Sequence, residues 1–313
     1  MGNIISWEAR REENREREKA LVLELCANLE RLMRPTELWT GLVTHHKDIF
    51  VSHVISKLNT TDRWFFANAN SESQGVLLYA GVNVSELHYA INECSSISTL
   101  EWVWNHAPWG EIDGSGSVVD QASFCSGVAL TNKLELLKWA REVKQCEWNE
   151  RTITVAVFKG NLEILEYCFS NDCPYDERKS CFQAAIKGHL DCLRFLFDKV
   201  KPSRDTEKAV AIRAAGYGHL DILKYLVEER KITHMAKIEC LLNAAMYGRL
   251  DCLNYLVEEV KVLLRNWRYV AYARYHEQPH CVNYLLEKGC PEPTDEEYVR
   301  FVERQQQHEE DSD

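Results

Sequence analysis

The chain has 313 residues, of which 45% are hydrophobic and 27% are charged, and its formal net charge is −11. This composition is typical of folded globular proteins, and the negative charge has the wrong sign for a general nucleic-acid binder. No stretch of about 18 consecutive apolar residues predicts a transmembrane helix, and the charged N-terminal residues predict no secretory signal peptide.

The chain contains 12 cysteines, which would suggest a disulfide framework in a secreted protein. Without a secretory signal, a reducing compartment is expected instead. No Cys-x-x-Cys pair occurs, so no zinc site is predicted. We therefore expect free thiols, a cytoplasmic or nuclear location, and neither metal nor cofactor.

The first predicted element is a helix over residues 8–33, within an N-terminal region of residues 1–34. Its first half alternates basic and acidic residues, which favours a solvated face; a coiled-coil partner is the alternative. Pro35 ends the helix. Its second half carries an apolar stripe of Val22, Leu25, Cys26, Leu29 and Leu32.

The first six residues, Met1–Ser6, match the N-myristoylation pattern, with Ser in the sixth position. Gly2 is therefore a candidate acceptor. One acyl chain anchors a protein weakly, and the bases and acids that follow cancel, so no polybasic patch supplies a second signal. We expect at most a weak, reversible membrane association and no stable insertion.

Residues 35–81 are predicted to form a small helical region. Pro35–Trp39, Val54–Asp62 and Phe65–Phe66 together resemble an F-box, a family whose short helices recruit a ubiquitin-ligase adaptor. Arg34 replaces the leading Leu of that pattern, and an insertion precedes the second segment. The two interpretations are an adaptor-binding segment and a small helical cap packed on the first repeat.

Residues 82–290 contain an internal repeat, which sets the expectation for the whole fold. Three copies align without gaps, at Ala184–Leu196, Ala214–Leu226 and Ala244–Leu256, and a fourth spans Ala156–Cys168. Weaker copies flank this block. One anchor position, occupied by Gly in the four strong copies, recurs at positions 95, 132, 160, 188, 218, 248 and 277.

Each repeat unit is predicted to contain two helices. The Ala-rich first helix ends at the anchor, where Gly adopts the left-handed conformation without a Cβ clash. The second helix carries leucines on one stripe, and an early Asp or Glu favours the positive end of its dipole. Ordering about 30 residues costs roughly 45 kcal/mol, more than one helix pair recovers by burial. Neighbouring units must therefore stack into an α-solenoid.

The shared pattern Ala-Ala-x-x-Gly-His-Leu-Asp-x-Leu-x-x-Leu resembles the helical core of ankyrin repeats. The resemblance covers about residues 95–290 and is strongest over 152–259. The Thr-Pro-Leu-His turn of the standard repeat is absent, and the units are shorter than the usual 33 residues. The resemblance implies an all-α solenoid that binds a protein on its concave face, with hairpin fingers reduced or missing.

The last region, residues 291–313, contains nine acidic residues, opposed only by Arg300 and Arg304. No apolar residue occurs from Gln305 onward. We therefore predict a solvated acidic tail.

The residues just before each anchor are the candidate binding residues, because this end of the first helix borders the concave groove in ankyrin-like repeats. Aromatic and apolar residues accumulate there, and Tyr and Phe often form interaction hot spots. Phe158, Ile186 and Met246 are expected to pack between repeats instead. The partner-binding candidates are Lys159, Lys187, Tyr217, Tyr247, Tyr275 and His276.

Other residues that could carry chemistry have structural interpretations. Cys192, Cys252 and Cys281 share one repeat position, where a buried Cys acts as a small hydrophobe. His189 and His219 follow anchors and are expected to form structural hydrogen bonds. No nucleophile is paired with a base, so the chain is not predicted to be an enzyme. Protein binding by a scaffold is the favoured function, and the alternative is a ubiquitin-ligase substrate receptor that uses the F-box-like segment.

Overall fold

The computed structural model describes residues 46–69, 71–111 and 118–310. The predicted helix over residues 8–33, the candidate acceptor Gly2 and the first part of the F-box-like segment lie outside these ranges. The chain divides into two compact units, Met1–Ser95 and Ser96–Asp313. No helix in the described ranges has the length and apolarity that crossing a bilayer requires.

The described part of the first unit contains short helices around a small apolar core. Ile55, Ala67, Val76 and Leu77 are the buried residues of that core. The elements are α1 (Lys47–His53), α2 (Thr60–Ala67) and α3 (Ser71–Tyr79), with 3₁₀ turns at Ile55–Lys57, Val84–Glu86 and Ile91–Glu93.

The first unit continues past residue 81, where the sequence pattern had placed the start of the repeats. The N-terminus of α2 holds the additional residues. The Thr61 backbone N–H and Oγ1 donate to Glu93 Oε2 at 3.1 and 3.0 Å. Asn59 Nδ2 donates to the Glu93 carbonyl oxygen at 2.8 Å. Because these bonds tie position 93 to α2, the unit ends at Ser95.

The second unit contains six consecutive helix pairs. Their first helices are α5 (Gln121–Leu130), α7 (Glu150–Lys159), α9 (Glu177–Lys187), α11 (Arg204–Tyr217), α13 (His234–Met246) and α15 (Arg268–Tyr275). Their second helices are α6 (Leu134–Lys138), α8 (Leu162–Ser170), α10 (Leu190–Val200), α12 (Leu220–Glu228), α14 (Leu250–Asn254) and α16 (Pro279–Glu287).

Two second helices are extended by π-helical turns, over Trp139–Val143 after α6 and Tyr255–Glu259 after α14. A further helix, α4 (Ile97–His106), precedes the pairs, and α17 (Asp295–Glu310) follows them. Within the described ranges every regular element is helical. The predicted all-helical repeat fold is therefore confirmed.

The anchor positions adopt the left-handed conformation that the repeat alignment predicts. The φ angle is 78° at Gly188 and 85° at Gly218, and Gly160 and Gly248 are alike. Even the weak copies conform without Gly, since Asn132 has φ 63° and Glu277 has φ 57°. The exception is the weakest copy. Its anchor position, Ser95, is not left-handed, and the next residue, Ser96, caps the following helix through its side chain.

A second left-handed residue ends each second helix, and sequence analysis missed it. The residue that follows it is buried in every case, so the chain turns directly from one unit into the next. This compact turn takes the place of the absent Thr-Pro-Leu-His turn. The left-handed residues are Gln145, Asp172, Lys201, Lys231, Lys261 and Gly289.

Replacing Lys231 with Gly should stabilise the fold, because a left-handed φ of 53° penalises any side chain with a Cβ. We expect the free energy of unfolding to rise by about 0.5–1 kcal/mol in urea titrations. The matched control is Lys224→Gly within α12, which should lower it by about 1 kcal/mol. A Lys231→Gly variant less stable than the parent chain would contradict this account of the turn.

Alanines set the spacing between neighbouring units. Ala184, Ala214 and Ala244, four residues before their anchors, are all fully buried. Because methyl groups allow close approach, neighbouring first helices make more extensive contacts than neighbouring second helices do. The stack is therefore tighter on its first-helix side, which is the arrangement of a solenoid curved toward that side.

The predicted acidic tail contains a helix that packs on the last repeat. In α17 the Phe301 side chain is only 6% exposed, and its ring centroid lies 4.7 Å from that of Tyr272. Tyr298 of the same helix also contacts the repeats, because Arg274 Cζ lies 5.3 Å from its ring centroid. The acidic residues around these two aromatic residues concealed the contact. Gln306 and Gln307 are exposed, which agrees with the end of the predicted tail.

Candidate functional site

Neighbouring units are joined by a hydrogen bond from the residue that follows each of three anchors, Gly188, Gly218 and Gly248. His189 Nε2 donates to the Phe158 carbonyl oxygen at 3.1 Å, and His219 Nε2 donates to that of Ile186 at 2.9 Å. Arg249 makes the equivalent bond to Gly216 at 2.9 Å. The carbonyls at a helix C-terminus lack intrahelical partners, so these bonds satisfy them. The structural interpretation of His189 and His219 is confirmed.

The anchor glycines also make room for this link. A Cβ on Gly160 would overlap the His189 ring, and a Cβ on Gly188 would overlap the His219 ring. Gly289 offers a contrast, because its φ is 80° but no atom lies within 4 Å of a Cβ placed there. Gly160 and Gly188 are therefore favoured for two reasons, the left-handed backbone and the close approach of the next unit.

Gly188→Ala should cost about 2–4 kcal/mol of unfolding free energy, because backbone strain and steric overlap with His219 both act. Gly289→Ala is the matched control and should cost about 1 kcal/mol from backbone strain alone. Equilibrium denaturation of both variants measures the difference. Equal losses would mean that the ring of His219 moves aside without penalty.

The predicted binding residues lie at the C-terminal ends of the first helices. Tyr217 and Tyr247 are each 51% exposed. His276 and Tyr275 are half-buried; the rings of Tyr247 and His276 lie 6.2 Å apart, and Tyr275 also approaches α17. We call this surface the first-helix face and define it by Phe158, Lys159, Lys187, Tyr217, Tyr247, Tyr275 and His276.

Phe158 belongs to this surface, although sequence analysis expected it to pack between repeats. Its side chain is 38% exposed, and Lys187 Nζ lies 4.5 Å from its ring centroid. That expectation was therefore wrong for Phe158, while Ile186 and Met246 are partly buried. Lys187 of the next unit contacts the Phe158 ring, and more than a third of the side chain remains exposed.

The seat of Tyr247 depends on a glycine in the preceding unit. A Cβ on Gly216 would lie 3.1 Å from Tyr247 Cδ2, tighter than ordinary contact. Gly216 occupies the position that holds Phe158 or Ile186 in other units. Because Gly216 has no side chain, the Tyr247 ring can approach α11 closely.

Sequence analysis missed a second group of residues on the same side of the first helices. Arg213 Cζ lies 3.8 Å from the Phe182 ring centroid, and Arg178 Cζ lies 5.4 Å from it. Phe182 stands six residues before its anchor and Arg213 five before the next, so the repeat register could have found them. We define the cation–aromatic cluster as Phe158, Arg178, Phe182, Lys187 and Arg213.

Charge divides sharply between the two layers of the second unit. The six first helices carry eleven Lys and Arg against five Asp and Glu. The six second helices, with their π-helical turns, carry five against twelve. The overall negative charge of the chain thus conceals a basic first-helix layer.

The thiols of Cys192, Cys252 and Cys281, which share one repeat position, have no features of reactive groups. Burial raises the pKa of Cys192 to about 11 and that of Cys252 to about 12, and it also raises the pKa of Cys281. They are therefore neutral near pH 7, which agrees with their interpretation as small hydrophobes. The described cysteines are all free. Among the described residues, no group of three His, Cys, Asp or Glu side chains is arranged to hold a metal ion.

Comparison with known families agrees with the geometry. The family model described as ankyrin repeats (3 copies) matches residues 153–238 and 211–296. These matches cover the helix pairs in which the inter-unit hydrogen bonds and left-handed anchors recur. Ankyrin repeats are thus detected over residues 153–296, and such repeats are generally protein-interaction modules. No curated protein sequence matches the chain.

Proposed function

We propose that this chain is a scaffold that binds a protein partner along the first-helix face, without catalysis. The observation that carries the proposal is the recurrence of large exposed aromatic side chains, Phe158, Tyr217 and Tyr247, at the same end of three first helices, α7, α11 and α13. Clustered exposed aromatic residues are typical of interaction surfaces. With the exposed Lys187 of α9 between them, these side chains span four consecutive units, as an extended partner segment would require.

The layer architecture supports this choice of surface. The inward sides of the first helices are occupied by buried alanines, so the units stack without help from the outward residues. Tyr217 and Tyr247 each leave about half of the side chain exposed. Large aromatic side chains that are not fully used in packing are candidates for binding.

The double variant Tyr217→Ala and Tyr247→Ala should bind its partner at least tenfold more weakly. The reason is that an aromatic hot spot often contributes about 2–4 kcal/mol to binding. The helical content should remain nearly unchanged, since half of each side chain is exposed. Quantitative affinity purification with the intact chain and circular dichroism give the two readouts.

The matched control is Tyr175→Ala. Tyr175 is 45% exposed and lies in the loop between α8 and α9, away from the first-helix face. This variant should capture partners as well as the parent chain does. If the double variant also captures them equally, the first-helix face is not the binding surface.

The alternative proposal is a substrate receptor of a ubiquitin ligase. The described part of residues 35–81 has its own apolar core around Ile55 and Leu77, as a separate adaptor-binding segment would need. Deletion of residues 35–81 should then abolish co-purification of an adaptor while capture through the repeats persists. If every captured protein is retained after the deletion, the receptor proposal fails.

Several finer expectations stay predictions. These are the absence of catalysis, cofactor and metal, the lack of nucleic-acid binding, a cytoplasmic or nuclear location, and acylation at Gly2. The four-part division at residues 34, 81 and 290 also stays a prediction. The binding roles of Lys159, Lys187, Tyr217, Tyr247, Tyr275 and His276 are part of the proposal itself.

A further inference from the structure

The cation–aromatic cluster spans three consecutive first helices, α7, α9 and α11. Lys187 from α9 lies over Phe158 from α7, and Arg213 from α11 lies over Phe182 from α9. Lys187 and Arg213 thus each connect two neighbouring units. A segment that lies along this surface would meet basic and aromatic groups from all three units.

The cations of this cluster differ from those of the second-helix layer in their acidic partners. Among the described residues, no carboxylate pairs with Arg178, Lys187 or Arg213. In the second-helix layer, Arg194 pairs with Glu229 and Lys224 pairs with Glu259. The cluster therefore presents positive charge that the acidic residues of the described ranges do not neutralise.

Helix dipoles do not explain these charges. Lys187 is in the last turn of α9, where a cation is favoured, but Arg178 is in the first turn, next to the positive end of the same helix. Arg213 donates one bond, to the Ala209 carbonyl oxygen at 3.2 Å, which leaves its other N–H groups available. A guanidinium stacked on an aromatic ring still offers these edge donors to a carboxylate.

We infer that the cation–aromatic cluster, together with the first-helix face, recognises an acidic protein segment, whose carboxylates meet Arg178, Lys187 and Arg213 and whose apolar side chains meet Phe158 and Phe182. This inference rests on the proposed function and adds the chemical class of the partner. Tyr217 and Tyr247 extend the apolar contact, because their exposed rings lie at the ends of α11 and α13.

A protein segment fits this surface better than a nucleic acid does. The basic groups are local, and the six second helices with their π-helical turns carry twelve acidic residues. At physiological salt, charges act over about 8 Å, so a short acidic segment would be attracted to the cluster alone. A long phosphate backbone would extend past the cluster toward the acidic layer and be repelled there.

The test measures binding of a short fluorescent peptide in which Glu and Leu alternate, by anisotropy with the intact chain. Lys187→Glu should weaken binding about tenfold, because it replaces an attraction by a repulsion at the centre of the surface. Raising the salt from about 0.05 to 0.3 M should weaken binding to the parent chain, since the charges become screened.

Lys199→Glu is the matched control. Lys199 is likewise an exposed Lys in the last turn of its helix, α10, and its Nζ lies 5.6 Å from the Phe195 ring centroid, but it belongs to the second-helix layer. It should change the affinity less than about twofold. Circular dichroism of both variants should match the parent chain because both side chains are exposed.

Two results with the Glu–Leu peptide would overturn the inference: no binding to the parent chain, or equal effects of Lys187→Glu and Lys199→Glu on the affinity. Two results with other ligands would also overturn it: equal affinity of the parent chain for the corresponding Lys–Leu peptide, or an oligouridine that competes as well as the acidic peptide. The proposed function fails separately. If the Tyr217 and Tyr247 variant loses its protein partners but the peptide gives one of these results, the surface binds protein without the acidic preference.

Discussion

The structure depends on one repeated contact between units. In the central units, the side chain after the anchor (His189, His219 or Arg249) donates to a carbonyl at the end of the preceding first helix. The histidine ring can reach that carbonyl only because the anchor below it is Gly and presents no Cβ. One hydrogen bond therefore satisfies a helix end, fixes the distance between units and determines the residue at the anchor. Short units can stack through this contact and need no projecting hairpins.

This stacking divides the first helix into positions with separate roles. The alanines three and four residues before the anchor are buried and determine how closely the helices approach. The positions that face outward take no part in this contact between alanines. Phe158, Lys187 and Arg213 occupy such positions, and they form the basic and aromatic surface. The same geometry leaves the acidic residues on the second helices, so the charges of the two layers are opposite even though the chain is acidic.

The sequence predicted the repeats well because their signals are local. The anchor alignment was confirmed even at Asn132 and Glu277, which are left-handed without being Gly. The second left-handed turn was missed because its residues, among them Lys231 and Asp172, share a conformation but no chemical type. The helix α17 was missed because a run of acidic residues concealed the single buried Phe301. In both cases the decisive interaction is burial against another unit, which leaves little trace in composition.

The helix pairs, their period, the anchors and the hydrogen-bonding role of the histidines could be predicted from the sequence. These features follow from helix propensity, helix ends and spacing along one chain. Which of the residues at equivalent repeat positions are exposed could be seen only in the folded structure. Phe158 is exposed whereas Gly216 is covered by Tyr247, although both stand two residues before an anchor. Exposure at such a position depends on the side chain that the neighbouring unit places over it, and that neighbour lies about 30 residues away in the chain.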